Sequence, residues 1–155
     1  MLDTLKGLMD GLGDLESLLP DLNAMFDHLA GLMRIAVLAA PVALVVLGLV
    51  YLFLAPKEAN HSIGFRCWWG MSSVEVWQFT QKMAGITWTV MGVVLGLIAL
   101  FTSNGYASME SAAMMMNALR LLGWQLALVL ISIVAFNLVL LVLFDRKGVN
   151  RFEKK

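Results

Sequence analysis

Arg66 is the residue of this chain best equipped to hold a ligand. Its guanidinium presents five donors in a planar fork. It follows Gly64, which permits a tight turn with positive φ. Directed outward, such a fork binds a partner's loop, a lipid phosphate or a peptide. Directed inward, it bonds the carbonyls of its own loop or Glu75. Lys82 is a second cation, either for a ligand or for the lipid headgroups that a lysine reaches from a helix mouth. Asn60 closes a turn or binds through its amide. Trp68, Trp69, Trp77 and Trp88 lie in the same region. They read as an aromatic belt at a membrane surface, or as a cradle for an apolar peptide or a partner helix. Cys67 reads as a packed or interfacial thiol.

Other chemistry is poorly provided for. No nucleophile and base stand in a recognisable pattern, so the chain does not read as an enzyme. A single cysteine makes no internal disulfide, and no Cys/His spacing suggests a metal or other cofactor. His28 and His61 fall outside the apolar spans, which removes paired ligands for a membrane-buried haem. The run Met114–Met115–Met116 suits a flexible apolar turn better than a copper site. Net charge is zero, with no basic tract for nucleic acid.

These residues sit between long apolar runs. The 155 residues are 60% hydrophobic and 14% charged, where a soluble domain is near half and a quarter, so the lipid bilayer is the expected solvent. The reading is an all-α polytopic membrane protein with three spans. Residues 35–55, 86–103 and 121–144 carry no Asp, Glu, Lys, Arg or His. About twenty apolar residues suffice to cross the hydrocarbon layer. An uncharged interior argues against a proton relay or ion path. Pro41, inside the first span, removes one backbone hydrogen bond. The 104–120 connection, with its methionines, reads as a loop holding a small surface helix.

Cations set the expected orientation. Lys57, Arg66, Lys82, Arg146, Lys147, Arg151, Lys154 and Lys155 lie on one side, and Lys6, Arg34 and Arg120 on the other. Eight against three places the 57–85 loop and the C-terminus in the cytoplasm and the N-terminus outside.

Residues 1–34 form a separate amphipathic segment ahead of the 35–155 membrane domain. The first twenty residues, with Asp3, Asp10, Asp14 and Glu16, do not read as a signal peptide. Leu5, Leu8, Leu12, Leu15, Leu19, Leu22, Phe26, Leu29 and Met33 alternate by three and four, a leucine heptad seam. Pro20 suits the first turn of a helix, which predicts two helices, over 2–18 and 20–33. The pair either rests on lipid or packs on a partner, including a homo-oligomer formed through residues 5–33.

The positioning elements follow from spacing. Ser72–Ser73–Val74–Glu75 matches a capping box, predicting a helix that Ser72 caps. In that helix Trp77, Gln81, Ala84 and Trp88 share a face. Gly85, Gly92 and Gly96 form a small-residue ridge for close helix approach, and Gly123, Ala127 and Ser132 offer another on the third span. Asn137, deep in the third span, needs a hydrogen-bond partner and reads as an interhelical bond.

The pattern from Asn60 to Gly85 resembles the signature of the SdpI-type membrane proteins. That signature reads roughly Asn-x-x-Ile-Gly-aromatic/Ile-Arg-Thr-Pro, then Trp, three residues, Asn/His, Arg, two residues and Gly. Asn60, Ile63, Gly64, Phe65, Arg66, Trp77 and Gly85 fall in place, with Lys82 at the basic position. Cys67–Trp68 replaces Thr-Pro, and Gln81 replaces the Asn/His. The resemblance implies a protein of the bacterial cell membrane that binds a secreted peptide toxin and confers immunity to it. The uncharged spans and the acidic seam fit a second reading equally, a structural or accessory subunit of a membrane complex. In either case membrane lipid is a partner.

Overall fold

The computed structural model describes the backbone of residues 2–59, 63–67 and 69–152, with side chains for all of these except 2–24, 26 and 27. It is a bundle of three helices: α1 (Leu2–Phe53), α2 (Val74–Ser103) and α3 (Ser111–Leu143). A single 3-10 turn, Tyr106–Ser108, lies between the last two. Among the described residues the only strand-like pairing is an isolated bridge between Phe144 and Asn150. Among the described residues three helical stretches are long and apolar enough to cross a bilayer: His28–Phe53, Val74–Ser108 and Ser111–Leu143. The shortest has 26 residues. At 1.5 Å per residue it reaches about 39 Å, beyond the roughly 30 Å of hydrocarbon.

Two expectations about helix limits are corrected. α1 runs unbroken through Pro20 and Pro41, as one helix of 52 residues. A proline deletes one amide donor, and the bonds on either side carry the helix past it. The seam residues from Leu5 to Phe26 lie outside the side chains described. The last two, Leu29 and Met33, pack against the core cluster of Ala30, Val37, Ala99, Tyr106, Met114 and Ala118. These two residues lie on the face that α1 turns to its own bundle. The 104–120 connection is also shorter than expected, because α3 begins at Ser111 and includes all three methionines. Met114 is buried. At this end of the bundle the Arg34 guanidinium donates to Asn104 Oδ1 at 2.9 Å.

Close contact between α1 and α2 depends on small residues from both. A Cβ on Gly85 would stand 2.6 Å from Leu52 Cγ and 2.9 Å from Gly48 O, and one on Gly92 would stand 2.8 Å from Pro41 O. Gly96 makes only an ordinary contact, 3.6 Å from Pro41 Cβ. The ridge expected on the third span is not formed at Gly123, where an added Cβ meets nothing within 4 Å. Ala127 is half-buried. The packing face of α3 instead carries Met114, Ala118, Gln125, Ser132, Phe136 and Leu140. Asn137 makes no interhelical bond to a described residue through its amide nitrogen. It donates to Ile133 O of its own helix at 2.8 Å, the back-bond that a polar side chain makes to the preceding turn.

Candidate functional site

Residues 54–73 connect α1 to α2 at the opposite end of the bundle from Arg34. Their course is dictated from the first turns of α2. Ser73 has an extended backbone (φ −154°, ψ 164°), and its hydroxyl accepts from Val76 N at 3.2 Å. The N-cap is thus Ser73, one residue later than the capping box predicts. This places Val76 where the box needs a Glu or Gln to reach back. Ser72 Oγ donates to Trp69 O at 2.8 Å, closing the turn before the cap.

Three residues of α2 then grip the loop. Trp77 is fully buried, and its indole N–H donates to Pro56 O at 2.8 Å. Gln78 Nε2 donates to Lys57 O at 3.1 Å. Gln81 bonds both backbone groups of one residue: Phe65 N donates to Oε1 at 2.7 Å, and Nε2 donates to Phe65 O at 2.8 Å. A primary amide presents a donor and an acceptor side by side, as a neighbouring strand does. Gly64 has φ +132°, and a Cβ there would stand 2.6 Å from the Trp77 ring. The turn thus requires glycine both for its dihedral and for its contact with the indole.

The clamp presses Phe65 into the bundle. Its ring meets Tyr51 of α1 at 6.5 Å, Trp88 of α2 at 5.3 Å and Phe136 of α3 at 5.5 Å between centroids. The last two are edge-on, the arrangement aromatic quadrupoles favour. Trp88 Nε1 donates to Ser132 Oγ at 2.9 Å, tying α2 to α3 beneath the plug. Trp77 and Trp88 are therefore interior residues, and the aromatic-belt expectation is corrected for both. Each indole N–H has found a partner inside the protein, which lets it leave the interface. Trp69 is half-buried and packs with Val76, Leu140 and Phe144. Trp68 and Asn60 lie outside the described residues.

Arg66, next in sequence to the buried Phe65, is exposed, and its charge is within electrostatic reach of Tyr51. Lys82 is exposed beside the buried Gln81. The expected residues thus divide. Gly64, Trp77 and Gly85 are packed inside with Gln81, while Arg66 and Lys82 face outward. Burial pushes the Cys67 thiol above its ordinary 9.0, an effect that hydrogen bonds from the Gly70 and Trp69 backbone only partly offset.

The C-terminal residues return to the same end. Asp145 N donates to Val149 O at 3.0 Å and Arg151 N to Leu143 O at 2.9 Å, forming a short hairpin with Gly148 at φ +73°. Ser73 Oγ donates to Gly148 O at 3.0 Å. One hydroxyl thus both caps α2 and holds the hairpin.

Spacing alone left Gln81, Phe65, Ser73, Gly48 and Gly148 without assigned contacts. A signal existed for Gln81, which lies one helical turn from Trp77 on the face identified above. Among the described residues no group of three or more His, Cys, Asp or Glu side chains stands close enough to hold a metal ion.

The arrangement is a loop fixed by main-chain bonds, with cations outside and an aromatic anchor inside. The family model of the SdpI/YfhL protein family matches residues 57–143, from the start of this loop to the end of α3. The match covers more than half of the chain, which belongs to that family. Comparison with curated proteins and with solved structures gave no match.

Proposed function

We propose that this SdpI/YfhL-family chain is a non-enzymatic immunity protein that binds a secreted peptide toxin in the membrane of a bacterial cell. Membership of the family carries the reading, and the family match opens at the clamped loop. Gly64, Phe65, Trp77 and Gln81 hold the loop rigid. Arg66 and Lys82 are its outward-facing groups, and we assign them the binding contact. Arginine suits such a contact, since its fork matches carboxylate and carbonyl groups that a point charge meets less well. The cation count favours a loop and C-terminus in the cytoplasm and an N-terminus outside. The peptide is then met within the bilayer or first by residues 1–33, and the loop reports inward.

The test is protection. Deleting the gene from its host sensitises cells to spent medium of toxin-producing cultures, and the intact chain restores survival. The Arg66→Ala, Lys82→Ala variant is expected to insert and fold normally yet fail to restore it. Full protection by that variant removes both residues from the binding face.

A second reading, an accessory subunit of a larger membrane complex, draws on one observation. The family match begins at residue 57, so all of α1, from Leu2 to Phe53, lies ahead of it as an extension. That extension carries the leucine seam, a surface suited to a partner or to a second copy. Recovery of a stoichiometric membrane partner after gentle solubilisation, lost on deleting residues 1–27, distinguishes this reading.

A further inference from the structure

A cleft of about 280 Å³ opens between the last turn of α1 and the first turns of α2. Its lining includes Leu52, Phe53, Lys57, Gln78, Gln81 and Lys82. From its position we infer that this cleft binds the headgroup of an anionic glycerophospholipid.

Depth is the first reason. Phe53 ends the apolar stretch His28–Phe53, and Lys57 is the first cation after it. Lys82 lies three residues before Gly85, where α2 touches Leu52 and Gly48. The cleft therefore straddles the boundary between hydrocarbon and headgroups. Charge is the second reason. Two ammonium groups line the cleft, and among the described residues no carboxylate does. Both lysines are exposed, and neither forms a salt bridge with a described carboxylate. Basic residues at this level gain about 1 kcal/mol each from an anionic leaflet. Shape is the third. Phe53 is 78% exposed beside the two cations, so a phosphate held by the lysines leaves its acyl chain on an apolar wall. Gln81 has both amide atoms committed to Phe65, and Gln78 anchors Lys57 O, so the polar floor is rigid. The site shares Lys82 with the proposed binding face but not Arg66, and its lipid response is read in detergent, apart from protection.

The competing role for the lysines is intramolecular. They also face the carbonyl end of α1, which carries partial negative charge. The test uses the full chain in neutral detergent, with its melting temperature read by loss of helical signal. Dilauroyl phosphatidylglycerol, dilauroyl phosphatidylcholine and inorganic phosphate are titrated in turn. Phosphatidylglycerol is expected to raise the melting temperature, and the other two are not. In Lys57→Gln, Lys82→Gln the half-saturating lipid concentration rises roughly thirty-fold, the factor that two such cations supply. In Arg146→Gln, Lys147→Gln, outside the cleft, it is unchanged. Lys57→Arg, Lys82→Arg keeps the charge and must keep the response, whatever its baseline. Equal shifts from the two lipids, an equal shift from phosphate, or loss of the response in the Arg146, Lys147 control overturns the assignment. So does a Lys57, Lys82 variant that responds normally, or one that only lowers the baseline.

Discussion

Gln125 donates from Nε2 to the carbonyl of Val37 at 3.0 Å, across from α3 to α1. Val37 is four residues before Pro41, so its carbonyl is the one that the proline leaves without an i→i−4 donor. Both side chains are buried, with Gln125 1% exposed and Val37 fully enclosed. The third helix thus supplies the hydrogen bond that the first helix lacks. This is how a proline is accommodated where no water can solvate the freed group.

Gln125→Leu is expected to destabilise the bundle by about 1–2 kcal/mol, the upper range for interhelical hydrogen bonds in lipid. Pro41→Ala restores an amide opposite Val37 O, so Gln125→Leu should cost less in that background. A double-mutant cycle in reversible detergent unfolding measures the difference. A coupling above about 0.5 kcal/mol is expected for residues sharing one acceptor, and simple additivity contradicts the relationship.

Gly64→Ala places a methyl against the Trp77 ring at a φ of +132°. Backbone strain of this kind costs about 1–3 kcal/mol. The expected signs are a lower melting temperature and a changed near-ultraviolet circular dichroism from the indole. A variant with unchanged spectrum and stability contradicts the packing.

Gln81→Leu leaves the Phe65 N–H and C=O without partners in a buried site, at about 1–3 kcal/mol per group. Gln81→Glu keeps the acceptor for Phe65 N and loses the donor to Phe65 O, so it should fall between the leucine variant and the parent. The Phe65 amide is expected to exchange slowly in the parent and rapidly in Gln81→Leu. Equal exchange rates in the two proteins contradict the clamp.

The Cys67 thiol is raised above its ordinary 9.0 by burial. Folding therefore favours the protonated form. The stability it contributes is complete below the unfolded value and is lost as pH rises through the folded one. Only the thiolate reacts with iodoacetamide. The pH profile of alkylation should be displaced to higher pH in the folded protein than in the denatured chain. Coincident profiles contradict the burial.

The face shared by Trp77, Gln81, Ala84 and Trp88 was legible because the helical period alone brings those side chains into line; all four are buried. The glycines of α2 were legible for the same reason, and Leu52, Gly48 and Pro41 O fill the space they leave. What stayed hidden depended on a third element. Whether Trp88 faces lipid or protein is decided by Ser132, on another helix. Of the two amides in the apolar stretch 121–144, Asn137 drew attention, yet it lies one residue, about 100°, from the packed Phe136. Gln125 lies on the packed face itself. The cap slipped by one residue because two adjacent serines offer the same hydroxyl, and the hairpin at Gly148 selects the second. For Arg66, composition and spacing allowed an inward or an outward role, and for Lys82 a ligand or the lipid headgroups. Their exposure is a property of the folded loop.

The bond from Ser73 to Gly148 joins residues 75 apart in sequence. During synthesis the hairpin of the first two helices is complete long before either Phe136 or Gly148 has left the ribosome. Until then the loop has its α2 clamp but neither the floor beneath Phe65 nor the strap across its cap. Residues made later finish the first loop made, so a chain that terminates before Phe136 reaches the bilayer with its loop unsealed.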